Sequence, residues 1–123
     1  MNINIPDNPN PTPNYMYPVV YSNPLYLDAE LSNAFYCLIT GNTTIRMLNT
    51  RKGGTYLIEL LMDGVGGHTV TFGSPFGWLI DGSRDIDSTA DAVNIVSAIT
   101  LYDNYLAYNI MNVISVTTTT TTT

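Results

Sequence analysis

Basic side chains are almost missing: Arg46, Arg51, Lys52 and Arg84 stand against ten acidic residues, for a net charge of −6. Binding a polyanion needs clustered cations to displace its counterions, so DNA and RNA are excluded as partners. Charge of either sign is scarce too, at 11% of residues, against roughly a quarter in an average soluble domain. Such a surface suits a protein that buries part of its exterior in an assembly, because few ions have to be desolvated at the contacts. Cysteine occurs once, at Cys37, which rules out a disulfide within the chain and a cysteine-rich zinc site. No run approaches the roughly 18 apolar residues of a membrane-spanning helix, and no basic segment followed by an apolar one opens the chain, so no membrane partner is expected.

Proline, asparagine, tyrosine and threonine are what the chain does have. Its 123 residues fit one domain that hides roughly two thirds of its unfolded surface. Residues 1–18 hold Pro6, Pro9, Pro11, Pro13 and Pro18 interleaved with five asparagines. Proline fixes φ and removes a donor, so this segment reads as an extended arm that builds no core of its own. Two readings compete: a disordered leader, or a docking arm that orders on a partner. The second gives a use to Ile3, Ile5, Pro9, Pro11, Pro13, Tyr15 and Tyr17 as anchors and stiffeners. At the other end, Thr117 to Thr123 is an unbroken threonine run with no apolar alternation, which reads as a frayed tail.

Residues 19–116 form the folded part. The clearest pattern is Thr55 to Phe72, an apolar run, the turn Asp63-Gly-Val-Gly-Gly67 and a second run alternating Thr69 and Thr71 with Val70 and Phe72, which predicts a β-hairpin. Phe35 to Thr40 and Thr43 to Leu48, joined by Gly41-Asn42, predict another. Short strands are expected at Val19 to Tyr21, Leu25 to Leu27 and Phe76 to Ile80. Asp81 to Asp91 reads as a polar loop with one helical turn capped by Ser88 or Thr89. The last runs, Val93 to Tyr102 and Tyr105 to Val116, meet at Asp103-Asn104, which suits a type I′ turn. A helix from Ala90 to Leu101 is the competing reading there. The even spacing of Val93, Ile95, Ile99 and Leu101 favours a strand. Tyr56 to Met62 and Leu106 to Ile114 are apolar on both faces, so one face lines the core and part of the other lines a subunit contact. The expected fold is all-β: an antiparallel, jelly-roll-like β-sandwich behind an extended arm.

A family resemblance runs through residues 25–96. Leu27-Asp28-Ala29, Ser32-Asn33-Ala34-Phe35, Thr40-Gly41-Asn42-Thr43-Thr44-Ile45, Gly54-Thr55-Tyr56, Asp63 through Phe72, Trp78 and Asn94-Ile95-Val96 occur in one order. Together they resemble a small β-sandwich module that recurs in tail-fibre, tail-spike and head-fibre proteins of tailed bacteriophages. The resemblance implies a structural or attachment role in the virion, commonly as a trimer, with no catalytic residues. One departure lies in the last hairpin, where the family often has Asp-Gly and a tryptophan and this chain has Asp103-Asn104-Tyr105.

Candidate chemistry is thin. Cys37 and His68 could nominally pair as thiol and base, but Cys37 falls inside an apolar strand, where a thiol is a small buried hydrophobe. Asp63 to Gly67 lacks the Lys and Ser or Thr of a P-loop and the strand-to-helix setting of a dinucleotide turn. Asp81, Asp85, Asp87 and Asp91 offer oxygen ligands, yet their spacing departs from an EF-hand loop and favours a solvated acidic loop over a calcium site. No cofactor and no enzymatic activity are expected. Two functional classes follow: a virion structural protein (head fibre, tail fibre or decoration subunit) that partners itself and capsid or tail proteins, or a module binding carbohydrate on the host surface. The second demands a groove with several aromatics beside Asp or Asn. The first demands extensive contacts between subunits.

Overall fold

The computed structural model describes residues 16–114. Among the described residues nine strands are present: β1 (Tyr17–Val19), β2 (Leu25–Asp28), β3 (Ala34–Ile39), β4 (Thr43–Leu48), β5 (Thr55–Met62), β6 (Val70–Phe72), β7 (Phe76–Leu79), β8 (Val93–Thr100) and β9 (Leu106–Val113). They form a six-stranded sheet in the order β1-β3-β5-β8-β9-β7 and a three-stranded sheet in the order β2-β4-β6. Through β6, successive strands fall in alternate sheets. Every neighbouring pair in that stretch is parallel. The chain therefore winds as a flattened coil of three turns, each stacked on the last at a strand spacing of about 4.8 Å. Tyr17 lies beside Phe35 and Phe35 beside Ile58 in the large sheet, and Leu25 lies beside Ile45 in the small one. After the coil the pattern changes: β8 runs antiparallel to β5 and β9 antiparallel to β8, while β7 closes the edge parallel to β9.

One apolar core lies between the sheets. Leu25, Leu27 and Ile45 from the small sheet and Phe35, Ile39, Ile58, Leu60, Met62 and Val96 from the large one are all completely buried. The alternation of buried and outward residues along β3, β4, β5 and β8 is the period-2 signature of strands with one face on a core. Each such side chain contributes about 1.5–3 kcal/mol by leaving water.

The all-β class and the two-sheet packing agree with the sequence reading, but the strand partners differ from it. The pairing is mixed rather than antiparallel throughout, and two of the three expected hairpins do not form. β3 and β4 lie in different sheets, so Gly41-Asn42 turns a corner of the coil instead of joining paired strands. The tight two-residue hairpin turns need φ > 0 at the first central residue or at both, and neither Gly41 nor Asn42 has it. The corner is held between turns of the coil. The Tyr21 hydroxyl donates to the Asn42 carbonyl (2.6 Å), the Thr43 hydroxyl donates to the Ser22 carbonyl (2.7 Å), and Asn42 Oδ1 accepts from the Thr69 amide (2.8 Å). Gly41 is required for approach rather than for φ, since a Cβ there would sit 2.6 Å from the Tyr21 oxygen.

Thr55 to Phe72 is likewise an arch between sheets: β5 spends its antiparallel edge on β8, and β6 pairs with β4. Gly66 takes φ +67 against the crossing segment 88–90, and a Cβ on it would meet the Ala90 nitrogen at 2.5 Å. The third hairpin, β8–β9, forms where expected, and Val93–Thr100 is a strand and not a helix. Its turn is not type I′. The Asn104 amide donates to the Leu101 carbonyl (2.9 Å) and Asn104 alone is left-handed, at φ +74, which is a type I turn followed by a left-handed residue. Residues 80–92 carry no helical turn. Asp87 instead accepts from the Thr89 amide (3.1 Å) and hydroxyl (2.8 Å).

Candidate functional site

The residues that could have carried chemistry are kept apart or used locally. Cys37 points into the core from β3, and burial pushes its thiol pKa up to about 11, far from the thiolate a nucleophile needs. His68 is paired with Asp63 instead (Nε2 to Oδ1, 3.0 Å). The same Asp63 oxygen accepts from the amides of Val65 (3.0 Å) and Gly66 (2.9 Å). Those donors, the Gly66 amide first, hold its carboxyl below the usual carboxylate range. Asp63 is therefore the clasp of the coil corner. Among the described residues, Asp81, Asp85, Asp87 and Asp91 form no metal-ligating cluster of three or more.

Of the expected docking residues, Ile3, Ile5, Pro9, Pro11, Pro13 and Tyr15 lie outside the described residues, as does the threonine run. Tyr17 belongs to the body. It opens β1, pairs with Phe35 in register and sets its ring edge-on to the Phe35 ring at 6.3 Å.

Two surfaces remain. The first is the outer face of the six-stranded sheet. Its outward positions align across four strands, Tyr36-Glu59-Ile95-Met111 in one row and Leu38-Leu61-Val93-Val113 in the next. Glu59 is the sole ionisable group among them besides the tyrosine. Leu38, Leu57, Ile99, Met111 and Val113 are each between 39% and 51% exposed. An antiparallel or mixed sheet with one face in water normally alternates apolar with polar there, and contiguous apolar patches of this kind mark interaction sites.

The second surface is a groove of about 500 Å³ along Gly67 to Phe72, floored by Tyr108 and Ile110 and walled on the far side by Leu79, Arg84 and Ile86. Its aromatic rings are spent on one another. Phe76 meets Phe72 edge-on at 5.1 Å and Tyr108 edge-on at 5.2 Å. Trp78, Tyr102 and Tyr105 are exposed elsewhere. The outer face was partly legible in sequence, because β5 and β9 read as apolar on both sides. The groove was not, because it arises from how many strands each sheet contains.

A model of the family described as "putative phage tail fibre C-terminal domain" matches residues 18–103, from β1 through the whole coil to the turn of the last hairpin. No curated protein and no solved structure matches the chain. The extent of the match settles the assignment: the chain belongs to this phage tail fibre C-terminal domain family and is a structural fibre component of a phage particle.

Proposed function

We propose that the protein is a fibre subunit that associates with two copies of itself through the outer face of the six-stranded sheet, and that residues 1–16 join the body to neighbouring protein in the particle. The apolar outer face carries this reading. Three such faces turned toward a common axis make a closed apolar core, and identical subunits close by rotational symmetry. The low charge of the chain supports the same reading, because covering this face desolvates few ions. The arm follows from composition: Ile3, Ile5 and Tyr15 are apolar residues on a segment too rich in proline and asparagine to cover them itself. The family favours a tail fibre over a head fibre or a capsid decoration.

Light scattering on the purified protein should return three times the chain mass of 13.5 kDa. A chain lacking residues 1–15 should keep that threefold mass, and adding Leu57→Arg with Met111→Arg, both outward and exposed, should reduce it to a single chain mass with an unchanged far-ultraviolet spectrum. A wild-type protein that stays monomeric at micromolar concentration in ordinary salt would overturn the self-association. Removing residues 1–15, which spares β1, should leave the body folded and abolish incorporation into particles. Normal incorporation of the truncated protein would place attachment elsewhere.

A further inference from the structure

The two sheets are unequal, and the inequality leaves a groove beside β6. β8, β9 and β7 extend the large sheet past β6, the last strand of the small sheet among the described residues. In the β4–β6 ladder the Thr43 amide donates to the Thr69 carbonyl (2.9 Å) and the Gly73 amide to the Ile45 carbonyl (2.9 Å). The alternation of a parallel ladder then turns the amide and carbonyl of Thr71 toward β4, and those of Val70 and Phe72 away from it, into the groove. Upstream the Gly67 amide is taken by the Ser88 carbonyl (2.6 Å), so the open edge is that of Val70 to Phe72, which the groove follows over a floor of Tyr108 and Ile110. It offers backbone donors and acceptors on one side, an apolar floor beneath and solvent above, which are the requirements for adding a strand to a sheet edge.

We propose that this groove receives residues 1–5 of a second copy as the fourth strand of the small sheet. The proposal rests on the reading that the N-terminal residues join the body to neighbouring protein, and it names the receiving surface. Met1, Ile3 and Ile5 alternate with Asn2 and Asn4, so an extended chain sets three apolar side chains on the floor and two amides at the open mouth. The threonine run offers the same side chain to both faces and has no such match. Residues 6–16, which follow, hold four prolines and no glycine. A linker of this composition favours extended chain at about 3.1 Å per residue, or roughly 34 Å in all. It joins the body at β1, the edge of the large sheet opposite β7. The self-association proposed above sets other copies within that reach, so the occupant is a second copy.

The test uses the full chain with Asn4→Cys and Thr71→Cys, both expected on the outward face of adjacent strands, where a disulfide can span them. Native Cys37 is 1% exposed and does not compete. On oxidation the double variant should give covalent species of two or more chains at a yield at least tenfold above either single variant. Adding Ile3→Asp and Ile5→Asp should lower that yield at least tenfold with no change in the far-ultraviolet spectrum. Absence of cross-linking, a cross-link confined within one chain, or an unchanged yield with the two aspartates would each overturn the proposal. If removal of residues 1–15 blocks incorporation while no cross-link forms, the groove assignment fails and the arm reading stands. If cross-links form while the truncated chain still incorporates, the reverse holds.

Discussion

The coil of β1 to β6 and the closing part, β7 to β9 with residues 80–92, solve the same problem by different means. In the coil, each strand lies against the equivalent strand of the next turn, and the inward residues stack as Phe35 on Ile58 or Leu25 on Ile45. Repetition of apolar side chains is enough. In the closing part no further turn continues the stack, and polar groups take over. Asn94 is fully buried in β8. Its Oδ1 accepts from the Asp87 amide (2.9 Å) and from Asn112 Nδ2 (2.9 Å), while its Nδ2 donates to the Asp87 carbonyl (2.9 Å). A buried amide side chain thus imitates the backbone of a missing strand and pins Asp87 across the end of the core, while Asn112 Nδ2 donates to the Asp85 carbonyl beside it (3.0 Å). Regular stacking needs only shape and apolarity, whereas ending a stack needs directed hydrogen bonds.

The largest expected effect breaks the coil. Ile58→Ala removes a completely buried side chain from the last of the three stacked turns and should cost about 4 kcal/mol, read as a shift of the denaturation midpoint with an unchanged slope. Because β5 also pairs with β8, protection from hydrogen exchange should fall in both parts together. Asn94→Ala acts on the closing part and should cost about 3 kcal/mol, since the amide and carbonyl of Asp87 both lose their buried partner. Here exchange at Asp87 and Asn112 should accelerate well before that of β3 and β4; uniform acceleration would show that the two parts are one cooperative unit. The smallest effect is acid sensitivity at the corners. Hydrogen bonds hold the carboxyl pKa values of Asp28, Asp63 and Asp87 below 3.8, from the Asn49 side chain, the Gly66 amide and the Thr89 amide respectively. A depressed folded pKa gives stability that is fully present above the ordinary carboxylate value and is lost as pH falls through the lower folded one. Denaturation midpoints should therefore be flat above about pH 5 and decline below it. Asp63→Asn should flatten part of that decline.

Which residues face inward was legible; which strands lie side by side was not. Period-2 alternation at β3, β5 and β8 names the buried face of each strand whatever its partner, so the strands and much of the core follow from sequence. Partner choice depends on contacts across long separations. Tyr17, Phe35 and Ile58 occupy one column of the large sheet at separations of 18 and 23 residues, and Leu25 to Ile45 and Thr43 to Val70 in the small sheet are separated by 20 and 27. Unequal turns show no repeat on the page. Gly41-Asn42 and Asp63 to Gly67 carry ordinary hairpin chemistry, and only the backbone reveals that it is used for corners. Asp103-Asn104 succeeded as a hairpin signal because Asn104 does adopt the left-handed conformation that its residue type tolerates. Of the candidate surfaces, the two-sided apolarity of β5 and β9 announced the outer face, while nothing local announces a groove created by three strands facing six.

Parallel stacking also makes the body a unit of length. Inserting one more coil between β4 and β5, a strand for each sheet with its two corners, would add about 4.8 Å along the stacking axis and leave the entrance at β1 and the closure at β7 to β9 chemically unchanged. A body built this way grows by copying its middle, so a longer body needs no new fold and no new ends.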